Sequence, residues 1–119
     1  MDALSEVLRL ARFSAGVTLD AAARAPWCVS IPASASMARA HLVVDGHAVL
    51  KVGDAEPVEL NSGELAFVAH GDAHLIGSAL DAEAKPLSAL VRTPVAGELM
   101  PVSVGGDGAA TRWIVITAS

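Results

Sequence analysis

Cysteine, aromatic residues and positive charge are all scarce in this chain. Cys28 is the only cysteine among 119 residues, which excludes a disulfide scaffold and fits a reducing compartment. Lys and Arg together number 8 against 13 Asp and Glu, for a formal charge of -5. Such a chain lacks the clustered cations that phosphate contacts require, so direct nucleic-acid binding by this chain alone is not expected. Tyrosine is absent, and the aromatics are Phe13, Trp27, Phe67 and Trp113. No apolar run reaches the ~20 residues of a membrane-spanning helix, because Arg39, Asp45, Asp54 and Glu64 interrupt the candidates. Asp2 and Glu6 stand where a signal peptide would carry basic residues. A cytoplasmic, non-membrane protein is the expectation. Apolar residues make up 53% of the chain, which excludes intrinsic disorder and supplies one core built mostly from Ala, Val and Leu.

The expected organisation is a single domain over 1–119, with a helix at about 2–13 and a barrel at about 17–118. Asp2 is placed to cap the helix. Leu4, Val7, Leu8 and Ala11 form its apolar stripe, and Glu6, Arg9 and Arg12 lie off it. The run Ala21–Ala25 has helical propensity, but Pro26 disfavours a helical Ala25. The segment therefore reads as the end of a strand and a loop. From Trp27 onward, short apolar runs alternate with turn signals at Asp45-Gly46, Gly53-Asp54, Asn61-Ser62-Gly63 and Gly71-Asp72. This rhythm marks an all-β sandwich or barrel and argues against a parallel α/β sheet. A glycine-rich loop, Gly105-Gly106-Asp107-Gly108, precedes a last strand at 112–117.

Asp45-Gly46 predicts a two-residue hairpin that sets Val44 against His47, Val43 against Ala48, His41 against Leu50 and Arg39 against Val52. Cross-strand partners share a face. With His47 and Lys51 toward solvent, Leu50 and Val52 point inward and bring Arg39, His41 and Val43 with them.

The stretch from Gly63 through Gly71 to His74 resembles the second cupin motif, with Ala69 where proline is usual. Leu4–Leu10, Arg24-Ala25-Pro26-Trp27, His41–Gly46, Glu56–Leu60, Gly71–His74 and the glycine-rich loop before Thr111-Arg112 resemble, in order and spacing, the N-terminal cupin domain of AraC-type transcription regulators. The resemblance implies a small double-stranded β-helix, or jelly-roll barrel, after one helix. It also implies a small-molecule effector and a homodimer, and in family members a DNA-binding region follows. The first cupin motif departs from the pattern. Arg39 stands at its Glu position, and Ser34 and Ser36 stand near its His positions. No metal or other cofactor is therefore expected; His41 and His74 would be the only remaining ligands. A metal-dependent cupin dioxygenase or isomerase and a purely structural dimerisation module are the alternatives.

The candidate ligand-binding residues are Arg39, His41, His74 and Trp27. A buried guanidinium needs an anionic partner, so Arg39 suggests an anionic effector; an internal salt bridge or a place at the barrel mouth would serve it equally. Trp27 is either a pocket wall or core. Cys28, within an apolar run and with no adjacent cation, reads as a buried structural thiol. His47 and His70 sit at turn edges and read as solvated, and Asp72 belongs to the turn before His74.

Overall fold

The computed structural model describes residues 18–34, 38–68, 71–90 and 99–118. The expected helix at 2–13, Ser36 and His70 lie outside these residues. Ten strands follow one another: β1 (Thr18–Arg24), β2 (Cys28–Ile31), β3 (Ala38–Asp45), β4 (His47–Val52), β5 (Val58–Asn61), β6 (Leu65–Val68), β7 (His74–Gly77), β8 (Lys85–Pro86), β9 (Leu99–Gly105) and β10 (Ala110–Ala118), with one 3-10 turn at Leu87–Ala89. They form two five-stranded sheets, ordered β6-β3-β10-β1-β9 and β5-β4-β7-β2-β8. The β1–β9 and β2–β8 neighbours run parallel, and the remaining neighbours run antiparallel. This is the all-β two-sheet architecture that the turn rhythm predicts. No helix among the described residues is long and apolar enough to cross a membrane.

The two inner faces share one core. From the first sheet come Leu19, Ala21, Ala23, Val43, Val68, Val102, Trp113 and Val115; from the second come Val29, Ile31, Ala48, Leu50, Leu60 and Ile76. Each set alternates along its strands, as a sheet with one buried face requires. Trp27, just before β2, stacks on Trp113 of β10 with ring centroids 4.5 Å apart and planes at 17°. In a core of small side chains this pair supplies the bulk that joins the sheets. Cys28 is 1% exposed, and burial raises its thiol pKa, as its apolar neighbours predict.

The expected β3–β4 hairpin is corrected by the pairing. Asp45-Gly46 does turn the chain, but β3 pairs with β10 and β6 while β4 pairs with β5 and β7. His41 lies beside Val115 and Ala66, and Arg39 beside Thr117 and Val68. Gly46 is a corner between sheets. Its φ of 97° is left-handed, and a Cβ there would stand 2.6 Å from the Ala110 carbonyl oxygen. Thr111 Oγ1 donates to the His47 carbonyl at 2.9 Å, and Gly46 N–H donates to Ser62 Oγ at 3.0 Å. These contacts carry the chain off the first sheet, and a register irregularity between Arg112 and Trp113 sits beside them. His41 and Val43 do face inward as expected, although the hairpin pairing that predicts it is absent.

The glycine-rich loop packs on the end of β1. Gly106 N–H donates to the Arg24 carbonyl at 2.8 Å, and Gly108 N–H to the Ala25 carbonyl at 2.8 Å. Gly105 has φ 107°, and a Cβ there would collide with the Arg24 carbonyl. Only glycine lets the two backbones approach this closely.

Candidate functional site

His41 and His74 come from different sheets and meet in the interior. Their Nε2 atoms are 2.8 Å apart, and the rings lie nearly perpendicular, at 82° with centroids 5.0 Å apart. His41 sits mid-strand on β3 at 0% exposure, and His74 opens β7 at 4%. Both histidines thus lie in the interior, where the motif reading of His74 and the hairpin reading of His41 place them, though the hairpin itself is absent.

The hydrogen bonds fix the tautomers. His74 Nδ1 lies 2.8 Å from the Asp72 carbonyl oxygen. A carbonyl only accepts, so Nδ1 carries the proton and the Nε2 of neutral His74 offers a lone pair. His41 Nε2–H therefore donates to it. His41 Nδ1 is left as a bare acceptor, buried and without a hydrogen-bond partner among the described residues. Asp72 thus acts through its backbone carbonyl, which its side-chain identity does not signal.

Arg39 lies two residues before His41 on the same inner face of β3. Its Nε is also buried without a partner among the described residues, and burial lowers its pKa. His41 is pushed down to about 3, first by burial and then by the charges of His74 and Arg39. Burial also lowers the pKa of His74; the Asp72 hydrogen bond opposes this, and the Arg39 charge adds to it. The site is thus one guanidinium and two neutral imidazoles. Two of its polar atoms, the Arg39 Nε donor and the His41 Nδ1 acceptor, have no hydrogen-bond partner among the described residues. An unsatisfied buried polar atom costs about 1–3 kcal/mol.

This donor set does not fit a metal. Among the described residues no three His, Cys, Asp or Glu side chains gather. Two imidazole nitrogens on a tetrahedral zinc at roughly 2.0–2.1 Å would be separated by roughly 3.3 Å. The His41–His74 separation of 2.8 Å is instead that of a hydrogen bond, and the bond occupies the His74 lone pair. The third neighbour, Arg39, is a cation. Ser34, described and half-buried, is a poor transition-metal ligand.

Trp27 is 2% exposed and engaged in the indole stack, one wall of which faces the core. It also borders a depression of about 270 Å³ with Pro26, Cys28, Glu83, Lys85 and Gly105. A groove of about 460 Å³ reaches His74 from the outer side of the second sheet, past Ser30, Pro32, Lys51, Leu75 and Pro86; neither Arg39 nor His41 borders it. A larger depression, about 560 Å³, lies where Arg24, Asp45, Lys85, Gly105 and Arg112 come together. These residues come from five separated segments, so no sequence motif signals it. His47 is partly exposed, with Nε2 3.9 Å from Glu59 Oε1.

The cupin family profile matches residues 2–119. No curated protein sequence matches the chain significantly. Among solved structures, a cupin-2 domain protein from Shewanella frigidimarina is 13% identical, with a TM-score of 0.40 over 75% of this chain and 64% of that one. A cupin protein from Bacteroides fragilis is 16% identical, with a TM-score of 0.43 over 86% and 60%. The Cnp3 cupin domain of Schizosaccharomyces pombe is 14% identical, with a TM-score of 0.41 over 77% and 50%. The matched part of this chain thus spans about half to two-thirds of each of those chains. With the two-sheet fold and a profile match over nearly its whole length, the chain belongs to the cupin family.

Proposed function

We propose that this domain senses a small anionic molecule, as the effector-binding domain of an AraC-type regulator does, and that it works as a homodimer without contacting DNA itself. The observation that carries the reading is the Arg39–His41–His74 cluster. A guanidinium donor and an imidazole acceptor are both buried and without a partner among the described residues, inside an otherwise apolar interior. A carboxylate would receive the Arg39 donor, and an adjacent hydroxyl or amide would donate to His41 Nδ1. The acidic net charge of -5 favours a separate DNA-binding element over this surface. The same chemistry argues for binding over catalysis, because the donor set suits an anion better than a Lewis-acid metal.

A second reading has its own support. The Trp27–Trp113 stack fills the middle of the core, which suits a purely structural dimerisation module. Thermal-shift screening with carboxylates and their neutral amides separates the two. The sensor reading expects stabilisation by particular carboxylates, lost in Arg39→Leu. Equal indifference to both classes favours the structural module. Stabilisation by zinc or iron(II), lost in His74→Ala, would favour the metal-dependent enzyme.

A further inference from the structure

The described residues include five Lys and Arg side chains: Arg24, Arg39, Lys51, Lys85 and Arg112. Three of them, Arg24, Lys85 and Arg112, border the depression of about 560 Å³ at one end of the first sheet. On a chain with a formal charge of -5, positive charge is gathered here. Asp45 is the one carboxylate among the described residues that borders it. The three cations come from β1, β8 and β10, so the topology brings them together where the sequence keeps them apart.

Register shows how the site is built. Asp45, Arg112, Ala22 and Ser103 form one row across the sheet, and Ala110, Arg24 and Gly105 form the next. Ala21 and Ala23 belong to the core between the sheets, so Ala22 and Arg24 point to the outer face. Arg24 and Arg112 are diagonal neighbours there, with Cα atoms ~7–8 Å apart. Ala22 and Ala110 complete that square, and their short side chains leave the space between the arginines open. Both guanidiniums are held in place. Arg24 Nη1 donates to the Gly108 carbonyl at 3.3 Å, and Arg112 Nε and Nη2 donate to the Asp20 carboxylate at 3.0 and 2.9 Å. Arg24 Nε and Nη2, Arg112 Nη1 and the Lys85 ammonium keep donors without a partner among the described residues.

We propose that this depression binds the diphosphate group of a small phosphorylated molecule, held by Arg24, Lys85 and Arg112. Charge and spacing select the class. A carboxylate brings one charge and two oxygens, and a single guanidinium fork satisfies it. Here two arginines stand one diagonal apart, and Lys85 faces them from the edge strand of the second sheet. A diphosphate carries charged oxygens on two phosphorus centres and so meets all three cations at once. The arginines supply directed forks and the lysine a point charge. The Ser103 hydroxyl, also at the border, adds a neutral donor. The site is separate from the interior cluster, because Arg39, His41 and His74 do not border it.

Lysine protection in the full chain tests the proposal. Lys51 and Lys85 are the only lysines, and Lys51 lies outside the depression, so it serves as an internal control. Acetylation by a small N-hydroxysuccinimide ester is followed by mass spectrometry at constant ionic strength, without divalent cations. Saturating pyrophosphate should slow the reaction at Lys85 at least fivefold and leave Lys51 unchanged. Calorimetry with pyrophosphate should show one site, at least tenfold weaker in Arg24→Gln and unchanged in Lys51→Gln. Acetate and inorganic phosphate should each bind at least tenfold more weakly than pyrophosphate. Undiminished acetylation of Lys85, or equal slowing at both lysines, would overturn the proposal. So would binding that is lost in Arg39→Leu, which would place the anion in the interior. Acetate binding as tightly as pyrophosphate would overturn the diphosphate assignment. If Arg24→Gln does not fold, the labelling of the native chain decides.

Discussion

His41 Nε2 donates to His74 Nε2 across 2.8 Å, joining the two sheets through a pair of neutral imidazoles. The direction of that bond is set two residues upstream of His74, where the Asp72 carbonyl accepts a hydrogen bond from His74 Nδ1–H. Protonating His74 destroys the arrangement, because both facing nitrogens would then be donors, whereas protonating His41 places a charge and a new donor at its buried Nδ1, which has no partner among the described residues.

The domain should therefore lose stability in acid. The folded-state pKa of His41 is depressed to about 3, below an unfolded value of ~6.5. Between these values the unfolded chain binds a proton that the folded chain does not. The stabilisation is complete above pH ~6.5 and declines as pH falls toward 3. His41 alone accounts for about 2 kcal/mol between pH 7 and 5, and the lowered pKa of His74 adds in the same direction. Urea unfolding at pH 7 and 5 checks this; His41→Leu should flatten the difference.

Arg39→Leu should raise the pKa of both imidazoles, because the guanidinium charge depresses each of them. Proton NMR titration of the histidine ring signals measures this directly. The variant should remain folded, and its stability at pH 7 should fall by no more than about 1 kcal/mol, since a buried Nε with no partner among the described residues is removed along with the charge.

The indole stack should be sensitive to shape. Trp113→Ala should cost about 3–5 kcal/mol, as large-to-small changes at fully buried aromatics do. Trp113→Phe should cost less, because it retains a stacked ring opposite Trp27 and removes an Nε1 donor that has no partner among the described residues. Chemical denaturation of both variants gives the comparison.

Gly46→Ala should destabilise by about 1–3 kcal/mol, from its left-handed φ and the approach to the Ala110 carbonyl. Gly53→Ala should be milder, because φ is 55° there and nothing lies within 4 Å of the added Cβ. The difference in melting temperature between the two variants separates backbone strain from the steric contribution at the corner.

The strands and turns of this domain are legible in the sequence because their signals are local. Asn61-Ser62-Gly63 forms a turn closed by Glu64 N–H on the Asn61 carbonyl at 2.9 Å, and Gly53-Asp54 one closed by Ala55 N–H on Val52 at 3.0 Å. Inward parity at His41 is predicted through a hairpin pairing that the structure lacks. The partner of β3 is not local. Asp45-Gly46 reports a reversal of the chain, but the contacts that make it a corner come from Ser62 and, more than 60 residues away, from Thr111. That His41 Nδ1 is the acceptor nitrogen follows from the Asp72 carbonyl acting through His74, a chain of three groups that no spacing encodes. Trp27 and Trp113 both stand out as informative residues, yet their stacking depends on which strands the two sheets bring face to face.

The most direct test of the account is calorimetric titration of the native chain and Arg39→Leu at pH 7.5 with the carboxylate that stabilises the native chain most in thermal-shift screening and with its neutral amide analogue. The account predicts saturable one-site binding of the carboxylate, at least tenfold weaker binding of the amide, and loss of that difference in Arg39→Leu. Equal binding of both compounds by the native chain, or a carboxylate preference that persists in Arg39→Leu, would contradict it.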